Sequence, residues 1–117
     1  MRHWPYFRTR TAAEGQQAYR RALASVTRRL IQERDAEVLF VSTCQGIPGY
    51  PYDDSIEASV IIDLLPQDVR RRVRLDSETH TPQALIETFA ACDVVVATRM
   101  HAGVLGLLAG AVVVPIA

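Results

Sequence analysis

The chain has 117 residues, 49% of them apolar and 22% charged, which suits one globular domain with its own core and no more. Thirteen basic residues balance thirteen acidic ones; this argues against a general nucleic-acid binder, which carries a basic surplus, and leaves room only for a local cationic site. Cys44 and Cys92 fall at a strand end and a helix end, without the spacing of a secreted disulfide scaffold. They read as free thiols in a reducing compartment, which places the chain in the cytoplasm, at most peripheral to a membrane.

The opening Met1 to Arg10 is basic and aromatic and has no apolar stretch behind it, unlike a secretion signal. Thr11 and Glu14 form a Thr-x-x-Glu capping box that opens a helix. Tyr19, Ala22, Leu23, Val26 and Leu30 then recur at helical spacing, which predicts a core-facing stripe. Arg20, Arg21, Arg28 and Arg29 would occupy the solvated side. Val38 to Val41 is a short continuous apolar run, as in a strand buried on both faces. Ser42 to Pro51 is rich in turn formers. Asp54 and Glu57 resemble a second capping start, followed by Ile56, Val60, Ile61 and Leu64 on a helix face that Pro66 ends.

Val73 to Leu75 is a weaker strand. Thr81-Pro82 reads as an N-cap followed by proline in the first helical position, with Leu85, Ile86 and Phe89 facing the core. Asp93 to Ala97 predicts another buried strand. Thr98 is positioned to cap a helix from Arg99 to about Ala109, and Ala111 to Ile116 forms a last strand. The apolar run from Ala102 to Ala117 is shorter than the roughly 20 residues of a spanning helix. It also carries Gly106, Gly110 and Pro115, so it reads as a buried helix and a strand. Strands alternating with helices imply a three-layer, Rossmann-like α/β fold, a parallel sheet of about five strands with helices on both faces. Met1 to Trp4 reads as the end of a first strand whose beginning is absent, and the last strand has no closing helix. The expectation is a single domain, residues 1–117, that is a piece of a larger protein and poorly stable alone.

Ligands of open parallel sheets bind beyond the carboxyl ends of the strands. Four such ends can be read: Arg2-His3-Trp4, Ser42 to Gly46, Asp76 to His80, and Thr98 to His101. Polar and ionisable residues gather there, whereas the strands are apolar. The sharpest feature is Thr98-Arg99-Met100-His101, between an apolar strand and an apolar helix. A helix N-terminus favours carboxylates, so Arg99 and His101 there cost the helix a few tenths to about 1 kcal/mol. An anionic ligand reverses that sign, because dipole, N–H groups and guanidinium converge on it. The competing reading makes Arg99 the partner of a carboxylate such as Asp93, and His101 a satisfied core histidine. No Gly-x-Gly-x-x-Gly or phosphate-loop lysine follows a strand, and the three histidines and two cysteines lack metal-ligand spacing. Gly103 and Gly106 share one side of the last helix, where close helix–sheet packing explains them better than ligand approach.

The segment Asp93-Val-Val-Val-Ala-Thr-Arg99-Met-His101-Ala, then Gly110-Ala-Val-Val-Val-Pro115-Ile-Ala, resembles the polysaccharide pyruvyl transferase family. Ser42-Thr-Cys-Gln-Gly46 with Asp53-Asp54 downstream is similar to the loop after the second strand of that family's domain, and Arg2-His3-Trp4 to its Arg-x-Trp. The resemblance implies the C-terminal lobe of a two-lobed, glycosyltransferase-B-like enzyme, with the N-terminal lobe absent and the fragment inactive by itself. It implies transfer of a pyruvyl group from phosphoenolpyruvate to a sugar of a cell-surface polysaccharide, on an acceptor that can be lipid-linked. The donor is a substrate and no cofactor or metal is implied. By the same resemblance His101 is the general acid, and Arg99, Thr98, Arg2, Thr43 and Gln45 bind substrate. Two other readings stay open. One is the donor-binding lobe of a nucleotide-sugar glycosyltransferase or epimerase, for which Glu78 is the only loose candidate for the nucleotide-binding glutamate. The other is a non-catalytic binding module of the same fold.

Overall fold

The computed structural model describes residues 11–49 and 52–116. Its residues gather into two compact units, one up to Glu78 and one from Thr79 onward. The first expected strand, Met1 to Trp4, lies outside the described residues.

The first unit opens with helix α1 (Ala12–Arg34). Both halves of the expected capping box form. The Glu14 N–H donates to Thr11 Oγ1 at 3.2 Å, and the Thr11 N–H donates to Glu14 Oε2 at 2.8 Å. The helix stops at Asp35, whose φ of 54° is left-handed. The Arg72 guanidinium holds it there, pairing with its carboxylate and its carbonyl. The buried stripe is not the expected one. Ala24, Thr27 and Ile31 are buried, with Tyr19 and Leu23 packed beside them, whereas Ala22, Val26 and Leu30 are exposed. Both stripes have helical spacing. The observed one turns Gln16 and Arg20 toward α2, where the Arg20 guanidinium meets Glu57 at 2.6 Å. Arg20 is therefore a packing residue and not part of a solvated face.

Strands β1 (Val38–Val41) and β2 (Val73–Asp76) pair in parallel, Val38 opposite Val73 through Val41 opposite Asp76. Between them run α2 (Asp54–Asp63) and a single-turn α3 (Gln67–Arg70). The cap of α2 is Asp53, one residue before the expected start, and Glu57 serves Arg20 in place of a capping box. Of the predicted α2 face only Ile61 is fully buried; Ile56 and Leu64 are exposed. Helix α2 ends before Pro66, as the sequence predicts, but Pro66 then opens α3, which is too short to show a period. The core joins Ala24, Ile31, Ile61, Leu65 and Val69 with Val38, Phe40 and Val73, so the helices share one face of the strand pair.

The second unit holds α4 (Pro82–Ala90), β3 (Val94–Ala97), α5 (Met100–Leu108) and β4 (Val112–Pro115). Thr81 caps α4 through the Ala84 N–H at 3.2 Å, with Pro82 first in the helix, as expected. Leu85 and Phe89 are buried, and Ile86 half-buried. Strands β3 and β4 pair in parallel, Val94 opposite Val112 through Ala97 opposite Pro115. The crossover is α5, seated on them at Gly106. A Cβ there would lie 2.9 Å from Val113 Cγ2 and 3.4 Å from Val95 Cγ1, so the glycine serves packing. Strand β3 is not buried on both faces. Val95 and Ala97 are covered, while Val94 and Val96 on β3 and Val112 and Val114 on β4 are exposed. A covered strand in a parallel sheet needs helices on both sides, and only one face of this pair carries one among the described residues. The described residues thus form a mixed α/β chain with two parallel strand pairs and their crossover helices. No described helix is long and apolar enough to cross a membrane.

Candidate functional site

The candidate residues lie at the carboxyl ends of both strand pairs, which is where the crossovers leave backbone groups and side chains open to a ligand. In the second unit they occupy the turn from β3 into α5. Arg99 is the N-cap, with extended backbone at φ −122° and ψ 139°. Its carbonyl accepts the Gly103 N–H at 3.1 Å, the first hydrogen bond of the helix. Thr98, expected to cap, is one residue too early and sits exposed before the turn. Arginine has no acceptor to offer an N-terminus, and α5 has neither a side-chain cap nor an acidic residue in its first turn. Each of the other two crossover-sized helices that begin after a strand or turn, α2 and α4, has a side-chain cap. Arg99 is half-buried and His101, in the first turn, is exposed. The histidine is therefore not a core residue. Together they put a guanidinium and an imidazole at the positive end of an apolar helix.

In the first unit the candidates sit on the loop after β1. The Thr43 N–H and hydroxyl both donate to Asp54 Oδ2, each at 3.3 Å. The Asp54 N–H returns a bond to the Cys44 carbonyl at 2.9 Å. Cys44 Sγ–H donates to the Tyr52 carbonyl at 3.3 Å, and the Gly46 N–H to Asp53 Oδ2 at 3.3 Å. Gln45 Nε2 reaches Ser42 at 3.3 Å and crosses to the Glu78 carbonyl after β2 at 3.0 Å. The loop is thus clasped from α2 on one side and from the β2 end on the other. Asp53 also caps α2 through the Ser55 N–H at 2.8 Å. The Ser55 hydroxyl, then the Ser55 and Gly46 amides, hold its carboxyl below the ordinary range.

The polysaccharide pyruvyl transferase family matches residues 6–117 of this sequence. The chain belongs to that family. An amylovoran biosynthesis protein, AmsJ, of Erwinia amylovora is 31% identical over 92 residues, which is 79% of this chain and 21% of that protein. The chain therefore spans about a fifth of that relative's length. No solved structure matches it.

For this pyruvyl transferase family member, the geometry groups Thr98, Arg99 and His101 on one turn and Thr43 and Gln45 on one loop, each at a strand end of its own unit. Arg2 lies outside the described residues. Three residues that the sequence did not mark as positioning these groups emerge here. Asp54 orients Thr43, Asp53 ties the loop to the α2 cap, and Glu78 supplies a carbonyl to Gln45. The Asp-Asp pair after a turn-rich loop is the available signal; it reads as a helix start and as part of a family-like loop, but neither reading shows which loop group each carboxylate holds.

Proposed function

We propose that this chain carries the donor-binding part of an enzyme that moves a pyruvyl group from phosphoenolpyruvate to a saccharide. The observation that carries the reading is the β3–α5 turn, where Arg99 occupies the cap position of an apolar helix and His101 stands exposed in its first turn. Two basic groups there oppose the helix dipole, and an anion between them turns the opposition into attraction. Phosphoenolpyruvate is such an anion, with a phosphate and a carboxylate. Family membership and the relation to an amylovoran biosynthesis protein support the same direction.

The reaction needs three events. A sugar hydroxyl adds to the central carbon of the donor, the methylene carbon takes a proton, and phosphate leaves. Where two hydroxyls add in turn, the product is a cyclic ketal. Arg99 would hold the phosphate or carboxylate as charge shifts onto phosphate. His101 would supply the proton. Thr98, on the same turn, would complete this side of the donor's surroundings. The glycosyltransferase-B-like arrangement with an N-terminal lobe, and a cytoplasmic location, are parts of this proposal.

The test uses the intact protein. Arg99→Ala should weaken phosphoenolpyruvate binding, read by calorimetry, by roughly 1.5–3 kcal/mol, the range for a charged hydrogen bond. His101→Ala should slow pyruvyl transfer by about 10²–10⁴-fold with the donor still bound. Neither should lower the melting temperature, because neither side chain fills the core. Two variants that lose stability yet bind donor normally would end this reading and make the turn structural.

A further inference from the structure

The β1 loop differs chemically from the β3–α5 turn. No lysine or arginine lies between Ser42 and Gly46; the Asp53 and Asp54 carboxylates clasp the loop, and Asp76 and Glu78 meet it through their backbone carbonyls. A polyanion is repelled there. The loop's side-chain hydrogen-bond donors are also engaged. Both donors of Thr43 go to Asp54 Oδ2, and the Gln45 amide nitrogen is shared among the Ser42 carbonyl, the Ser42 hydroxyl and the Glu78 carbonyl. A threonine hydroxyl whose proton points at a carboxylate still has lone pairs to offer, and a glutamine whose nitrogen is tied inward has a carbonyl oxygen that only accepts. Thr43 and Gln45 are both half-buried. A loop of acceptors in acidic surroundings suits a ligand that brings hydroxyl donors.

We propose that the Ser42–Gly46 loop reads hydroxyl groups of the saccharide acceptor, and that Asp54 is a positioning residue which fixes Thr43 as the accepting group. This rests on the pyruvyl transfer reading and assigns the loop to the acceptor, not to the donor. The Asp54 carboxylate also sits at the first position of α2, so its role in the fold and its role through Thr43 must be separated.

The experiment takes the intact protein and, as acceptor probe, the host's own polysaccharide after mild acid has removed its pyruvyl groups. Thr43→Val should raise the KM for this acceptor about 10-fold or more, the scale of one lost hydrogen bond to a well-placed group, and leave the KM for phosphoenolpyruvate unchanged. Asp54→Ala should do the same, and Asp54→Asn, which keeps one accepting oxygen, should restore part of the loss. Combining Thr43→Val with Asp54→Ala should cost no more than the larger single change, because one acts through the other. A rise in donor KM, additive effects of the two substitutions, or an unaltered protein that does not use the probe overturns the proposal. If Thr43→Val matters and Asp54→Ala changes only the melting temperature, the positioning role alone fails. If Arg99→Ala leaves donor binding intact, the pyruvyl transfer reading fails whatever the loop does.

Discussion

Arg20 and Glu57 show how one residue pair decides the placement of a long helix. Two guanidinium nitrogens of Arg20 and the Gln16 amide all donate to the Glu57 carboxylate, at 2.6–2.9 Å. The Arg20 hydrogen bonds, working against burial, hold the Glu57 carboxyl below its ordinary range. A depressed carboxylate contributes stability that is complete above the unfolded-state value of roughly 4.3 and is lost as pH falls through the lower folded value. Melting temperature should therefore fall more steeply below about pH 4.3 in the wild type than in Glu57→Gln, which cannot titrate. The two should differ most at neutral pH and converge in acid. A constant offset at all pH values would show that the pair carries no linked proton. The size is modest, because the two side chains keep 18% and 33% of their exposure, and partly solvated pairs contribute about 1 kcal/mol or less. At the same scale, Arg99 and His101 are expected to report on ligand and not on folding, which makes the two pairs opposite controls in one protein.

The element whose position most constrains the candidate site is α5. Gly103 and Gly106 both face the strands, yet they differ in room. A Cβ at Gly103 would meet Ala97 Cβ at an ordinary 3.6 Å, whereas one at Gly106 would meet Val113 Cγ2 at 2.9 Å. Alanine in a helix interior is favoured over glycine by roughly 0.8–1 kcal/mol. Gly103→Ala should therefore raise stability by up to about that amount. Gly106→Ala should instead lower it, by up to about 2 kcal/mol net, since overpacking a tight contact costs about 1–3 kcal/mol against that gain. Denaturant melts of both variants check the contrast, and Val113→Ala should rescue Gly106→Ala but not act on Gly103→Ala. Because α5 begins at the Arg99 cap, a helix lifted off Val113 moves the guanidinium too. Gly106→Ala is accordingly expected to weaken donor binding as well as stability.

For the molecule as a whole, the feature with physical consequence is the valine face of the second unit. Val94, Val96, Val112 and Val114 are 52%, 42%, 64% and 47% exposed, and the register sets them in two facing pairs. A patch of β-branched residues on a strand pair favours self-association. The 117-residue chain expressed alone should therefore aggregate. Replacing Val94 and Val112 with threonine keeps the β-branched shape while adding hydroxyls. That double variant should scatter less light on concentration, with its melting temperature little changed. Equal aggregation of both would show that this face is not responsible. The stripe on α5 of Met100, Val104, Leu107 and Leu108, all exposed, adds to the same tendency.

Local signals in the chain were enough for the longer described elements and their kind, though not for the single turn of α3. The capping box at Thr11, the Thr81-Pro82 start and the apolar runs at residues 38–41, 94–97 and 112–115 each depend on neighbours in sequence, and each appears where expected. Family membership was legible for a similar reason, since it rests on short ordered motifs. The sequence alone could not decide which of two equally periodic stripes of α1 would be buried, because that depends on Glu57, which lies 37 positions beyond Arg20. Nor could it place Asp53 as the cap with Asp54 holding Thr43. A run of Asp-Asp-Ser is compatible with several caps, and only the return of α2 beside the β1 loop selects one. The α5 cap was decided in the same way. Both Thr98 and Arg99 precede an apolar helix, and the seat of Gly106 on Val113 and Val95 sets where its first turn begins, leaving arginine, and not threonine, at the helix end.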